Sequence, residues 1–111
     1  MDAVIATTDD AAKFVDNVWA VAPHGVDTSR FQMAKDRAQA WSKTGYPGRY
    51  GFASIGRVRP EKGTDLFVDA MISALPDIPD ATALIIGAAK GKFKSFLEAQ
   101  KHKVVSAGLE Q

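Results

Sequence analysis

The sequence contains no cysteine, which excludes a disulfide framework, a thiolate metal site and a cysteine nucleophile. Its formal net charge is only +1, so it lacks the basic excess that bulk nucleic-acid binding requires. Two histidines and scattered acids form no pattern of spaced metal ligands. No apolar run approaches the roughly 20 residues needed to cross a bilayer. A basic-then-apolar secretory leader is missing from the N-terminus, and there is no internal repeat or low-complexity tract. What remains is 111 residues, 46% apolar and 24% charged, the composition of one globular domain with a real but small core.

The most informative stretch is Gly56-Arg57-Val58-Arg59-Pro60-Glu61-Lys62-Gly63-Thr64-Asp65. It follows a strand-like run, Tyr50 to Ile55, and opens a helix-like run, Asp65 to Leu75. A helix start offers unpaired backbone N–H groups and the positive end of a dipole. Arg57, Arg59 and Lys62 add positive charge, and Gly56 and Gly63 let a ligand approach the backbone. The chemistry is that of a site for a phosphate or diphosphate carried by a nucleotide.

The remaining elements read in order. Val4 to Ala6 is a strand, and Thr7-Thr8-Asp9-Asp10 supplies caps and first-turn acids for a helix reaching about Val18. Ala12, Phe14, Val15 and Val18 give that helix an apolar side. A second extended run, Trp19 to Ala22, ends at Pro23-His24-Gly25; Asp27 and Thr28 are caps for a single turn carrying Phe31. Ala34 to Lys43 has a weaker helical pattern, and Thr44 to Gly48 is a loop. Pro76 and Pro79 stop the helix that begins at Asp65. Thr82 to Ile86 is a continuous apolar run, expected inside a parallel sheet covered on both faces. Gly87 to Gly91 then turns the chain into a helix from about Lys92 to Ser106.

Strand–helix–strand–helix in this order predicts an α/β fold, with a parallel sheet and flanking helices. Ligands of such sheets bind outside the carboxyl ends of the strands. Gly56 and Gly87 both fall there, so their two loops are expected to face one crevice.

Other candidates are weaker. Gly87-Ala88-Ala89-Lys90-Gly91-Lys92-Phe93 has three residues between its glycines where a Walker loop needs four, and Phe93 replaces the magnesium-binding hydroxyl. The dinucleotide fingerprint of three spaced glycines is also absent. His24 has no triad partner in evidence, and Gly25 favours a tight turn. His102 lies among Lys101 and Lys103 on a polar helix face, and the lysines of the last helix suit a solvated surface. Trp19 and Trp41 are expected in a core or an interface. The chain opens straight into an apolar strand and stops just after a helix, which reads as a cut through a larger architecture.

Three segments together resemble the retaining glycosyltransferases with two Rossmann-like domains. Ala22-Pro23-His24-Gly25-Val26-Asp27-Thr28, followed by Phe31, resembles that family's segment of histidine or asparagine, then Gly-Val-Asp, then phenylalanine. Gly56 to Gly63 is similar to its donor-diphosphate loop, and Ala83-Leu84-Ile85-Ile86-Gly87 to the next strand of its C-terminal domain. The wording Met1 to Thr7 and Gly63 to Met71 is most similar to bacterial lipopolysaccharide core mannosyltransferases.

The resemblance implies a truncated C-terminal domain of that fold. Residues 1–22 would end the N-terminal domain and its crossover, 23–48 would be the interdomain linker, and 49–111 the first half of the sugar-nucleotide domain. It gives Arg57 and Lys62 the diphosphate of a sugar nucleotide such as GDP-mannose, with Gly56 and Gly63 shaping the loop and Gly87 the second loop of the crevice. No cofactor or metal is implied, and no residue is assigned a catalytic role. The acceptor, a glycan or lipid-linked glycan, would meet the N-terminal domain. The implied location is cytoplasmic, or peripheral at the inner membrane.

One departure stands out. The family's paired glutamates, seven residues apart, have no counterpart: the sequence holds only Glu61, Glu98 and Glu110. The isolated chain is therefore expected to be inactive. Two alternatives stay open: a freestanding α/β phosphate- or nucleotide-binding module without catalysis, and a degraded or truncated gene product that folds poorly and does nothing. Separately, self-association through an exposed sheet edge is expected.

Overall fold

A computed structural model describes residues 3–109; Met1, Asp2 and Glu110, named above, lie outside the described residues. The chain divides into two compact units, Met1–Lys35 and Asp36–Gln111.

The first unit is a small parallel β-α-β arrangement. Strand β1 (Val4–Ala6) pairs with β2 (Val18–Val21), and a register irregularity falls between Val4 and Ile5. Helix α1 covers only Asp9–Ala12. Thr8 caps it as expected, its hydroxyl accepting from the Ala11 N–H at 3.0 Å, with Asp9 and Asp10 in the first turn.

The longer helix expected to Val18 does not form. β2 has to begin at Val18 to pair with β1, so residues 13–17 make the return, with Asn17 at a positive φ of 61°. Asparagine tolerates that region better than most side chains. The apolar spacing of Phe14 and Val15 therefore does not mark a packed face, and Phe14 is 87% exposed. Among the described residues Ala6 is the buried apolar residue of this unit. The single turn at Asp27 does form: the Arg30 and Phe31 N–H groups donate to the Asp27 carbonyl at 3.1 and 3.0 Å.

The second unit begins with α2 (Arg37–Ser42), shorter than the expected Ala34 to Lys43 because Asp36 caps it, accepting from the Gln39 N–H at 3.0 Å. Trp41 on α2 donates its indole N–H to the Gly48 carbonyl at 2.8 Å, and its ring lies where a side chain at Gly51 would be. A tryptophan read as core or interface thus seats α2 and the Thr44-to-Gly48 loop against the following strand. Trp19, by contrast, is 75% exposed.

β3 (Tyr50–Ile55) and β4 (Ala81–Ile86) run parallel in unbroken register, Tyr50 opposite Ala81 through Ile55 opposite Ile86. The crossover holds a 3₁₀ turn at Pro60–Lys62 and helix α3 (Thr64–Ala74), which gives way to a second 3₁₀ turn carrying Pro76. A third such turn at Gly91–Phe93 leads into α4 (Lys94–Ser106), so that helix starts slightly later than Lys92. α4 is tied to α3 by Lys103, whose ammonium is 2.7 Å from an Asp69 carboxylate oxygen. Val58 and Val68 are the buried apolar residues here.

The sheet is not covered on both faces, as the apolar run 82–86 had suggested. Among the described residues only two strands form it, and Tyr50, Phe52, Ile55, Ile85 and Ile86 all remain exposed. No helix among the described residues is long and apolar enough to cross a membrane.

Candidate functional site

The loops after β3 and β4 leave their strands side by side. Pairing continues past the regular ladder: the Gly56 N–H donates to the Ile86 carbonyl at 3.0 Å and the Val58 N–H to the Ala88 carbonyl at 3.1 Å. Gly87 packs so closely on this extension that a Cβ there would overlap the Gly56 carbonyl oxygen. Glycine at 87 is thus required by backbone contact, and Gly56 adopts a φ of 151° open only to glycine. Val58, 2% exposed, anchors the first loop from beneath.

Beyond Val58 the chain stays extended at Arg59 and then makes the Pro60–Lys62 turn, closed by the Gly63 N–H donating to the Pro60 carbonyl at 2.8 Å. Gly63, at φ 66°, is both the end of that turn and the N-cap of α3. With no side chain there, α3 has no side-chain cap, so its first-turn N–H groups keep their donor capacity. Asp65 in the first turn and Glu61 in the loop offset part of the positive charge.

Arg57 and Lys62 are exposed, and among the described residues neither takes part in an ion pair. Arg59 differs. It is half-buried, with its Nε 3.9 Å from a Glu61 oxygen and without a hydrogen-bond partner. The structure thus gathers Gly56, Arg57, Lys62 and Gly63 on one loop and sets Gly87 against Gly56. The arrangement joins exposed cations, an uncapped helix start and a backbone without side-chain bulk. Chemically it suits an anionic oxygen group.

Other features fall elsewhere. A groove of about 600 Å³ is lined by Phe67 and Met71 of α3, by Leu75, Ile78 and Pro79 beyond it, and by much of β4. It includes none of the loop cations, and its apolar walls suit no diphosphate. His24 and His102 are exposed, His102 with its Nδ1 3.4 Å from the Ser106 hydroxyl. The Asp27 carboxyl is held below the ordinary carboxylate range, first by the Ser29 hydroxyl and then by the Ser29 N–H, which donate to the same oxygen at 2.6 and 3.0 Å. No group of three or more potential metal ligands clusters among the described residues.

Sequence reasoning missed the direct contact of Gly87 with Gly56 and the partial burial of Arg59. A glycine placed just after each of two paired strands was the available signal for the first. Nothing in the sequence marked the second.

No protein-family profile matches the chain. It is 44% identical over 110 residues to the lipopolysaccharide core biosynthesis mannosyltransferase LpsB of Rhizobium meliloti (strain 1021). Against the lipopolysaccharide core biosynthesis mannosyltransferase LpcC of Rhizobium leguminosarum bv. viciae it is 42% identical over 109 residues. In both cases 98% of this chain is matched, yet it spans only 31% of the relative. Among solved structures it is similar to the C-terminal domain of a glycosyl transferase group 1 family protein (LpcC) from Francisella tularensis. The TM-score is 0.73 at 42% identity, covering 78% of this chain and 44% of that one. The fold is accordingly α/β and Rossmann-like in part, and this chain is a stretch of the glycosyltransferase group 1 family, homologous to bacterial lipopolysaccharide core mannosyltransferases over about a third of their length.

Proposed function

We propose that the chain carries the diphosphate-binding loops of a sugar-nucleotide site in an enzyme that transfers a hexose, mannose by analogy with its relatives, to a lipopolysaccharide or other glycan acceptor. GDP-mannose is the proposed donor. Arg57 and Lys62 hold its diphosphate and neutralise the charge that develops on the departing nucleoside diphosphate. Gly56 and Gly63 let the backbone come close, and Gly87 keeps the second loop against the first. The observation that carries this reading is the Gly56–Gly87 approach, which joins both loops at the carboxyl ends of β3 and β4.

The chain by itself does not catalyse transfer. It spans 31% of the relatives it matches, and no pair of glutamates seven residues apart is present. Residues 1–22 correspond to the end of an N-terminal domain and its crossover, 23–48 to the linker, and 49–111 to the start of the donor domain. The acceptor meets the N-terminal domain, and the enzyme works in the cytoplasm or at the inner membrane surface. In isolation the chain self-associates through its exposed sheet edge, where Ala81–Ile86 has no charge to discourage pairing. A single sedimenting monomer across a wide concentration range would remove that part of the reading.

The donor site is tested by calorimetric titration of the chain with GDP-mannose, GDP and guanosine. Binding that needs the diphosphate and weakens with added salt is expected. Arg57→Ala and Lys62→Ala should each weaken GDP-mannose roughly tenfold while leaving guanosine unchanged. Equal weakening of both ligands sinks the diphosphate role.

A further inference from the structure

We infer that Arg59 is a third anion contact of the same loop, acting beside Arg57 on the anionic oxygens of the nucleoside diphosphate. The inference rests on the donor reading above and extends it to a residue to which that reading gives no role.

The first argument is backbone geometry. Past the unusual torsion at Gly56, the N–H groups of Gly56 and Val58 bond to the Ile86 and Ala88 carbonyls in turn, so the chain holds an extended, alternating course through Val58. Arg59 keeps it, at φ −166° and ψ 157°. Alternation turns residues 57 and 59 to one side and Val58 to the other. Val58 is the buried one, so the two arginines share the opposite side, roughly 7 Å apart along the chain.

The second argument is the condition of the Arg59 side chain. An arginine kept for structure uses its fork in hydrogen bonds to carboxylate or carbonyl oxygens. The Arg59 side chain is only 33% exposed, yet its Nε is shielded from solvent with no partner, and the Glu61 carboxylate stands off at 3.9 Å. A shielded donor without an acceptor is costly to leave so. The Nε is drawn in against the loop without a partner there. An incoming phosphate oxygen supplies the missing acceptor once the side chain swings toward Arg57, and Glu61 is the competitor it displaces.

The test is titration of the full chain and its variants with GDP and guanosine, with Arg57→Ala as reference. Arg59→Gln should weaken GDP roughly tenfold and leave guanosine unchanged. Glu61→Gln, which removes the competing carboxylate, should tighten GDP a few-fold. If Arg59 were only a structural partner of Glu61, Glu61→Gln would lower the melting temperature as Arg59→Gln does and leave GDP binding alone. GDP affinity unchanged in Arg59→Gln while Arg57→Ala weakens it overturns the inference and spares the donor reading. No loss in Arg57→Ala either removes both. Should Arg59→Gln fail to fold, the Glu61→Gln result decides: tighter GDP supports the inference, and unchanged or weaker GDP defeats it.

Discussion

The chain builds the parallel β-α-β arrangement twice, and the two versions differ most at the start of their helices. In the first unit, the four-residue α1 is capped by the Thr8 hydroxyl and carries Asp9 and Asp10 in its first turn, so its donors and dipole end are already answered by oxygen and negative charge. In the second, the eleven-residue α3 starts from Gly63 with no side-chain cap, behind a loop bearing Arg57, Arg59 and Lys62. The crossover length underlies both outcomes. Residues 7–17 leave room for a single helical turn between β1 and β2, whereas residues 56–80 accommodate a loop, a 3₁₀ turn and a full helix. The same topology thus ends once in a self-satisfied turn and once in a helix start able to receive an anion.

Substitutions can break or sharpen that contrast. The largest effect is expected from Gly87→Val, whose side chain has to push the Gly56 carbonyl away. Overpacking of this kind costs about 1–3 kcal/mol, a fall in melting temperature of roughly 5–20 °C, and it should abolish GDP binding by parting the loops. An unchanged melting temperature would mean that the two loops do not depend on each other. Thr8→Ala should cost about 0.5–1 kcal/mol and speed amide exchange at Ala11, while the GDP titration stays as it was. A loss of GDP affinity in that variant would show that the first unit takes part in the donor site.

The smallest effect is a pH dependence at Asp27. Its folded-state pKa is depressed from the ordinary 3.8 by the Ser29 hydroxyl and N–H. The contribution is therefore present above that value and lost as pH falls through the lower, folded one. Ser29→Ala should raise the Asp27 pKa toward 3.8, read by NMR titration of the carboxyl, with no change in GDP binding.

The second unit is far more legible in the sequence than the first. Tyr50 to Ile55 and the run to Ile86 are apolar segments bounded by glycine and aspartate, and both form strands of six residues. α3 is marked by Leu66, Phe67, Ala70 and Met71 at helical spacing and by Pro76 beyond it. In the first unit, the helical spacing of Phe14 and Val15 is real but unused, because the short return to β2 overrides it. Continuous hydrophobicity in Ala81–Ile86 suggested cover on both faces. It cannot reveal that, among the described residues, only β3 pairs with it. For the site, the loop and its residue types were readable, and so was the position of Gly87 at a strand end. The partial burial of Arg59 was not, since it arises from the folded loop and not from any local pattern. Likewise, the ion pair of Lys103 with Asp69 joins two helices whose packing no local pattern encodes.

The two glycines of the site are constrained for different reasons. Space is open around Gly56, and only its torsion of 151° excludes a side chain there. At Gly87 the limit is contact, because the Gly56 carbonyl fills the room a Cβ would need. The backbone at one position therefore dictates the amino acid at another, far along the chain. In the language of heredity the two codons are coupled. A variant relaxing the backbone at 56 would be the natural place to find a tolerated alanine at 87, and the lost torsion would be recorded as a paired change in the gene.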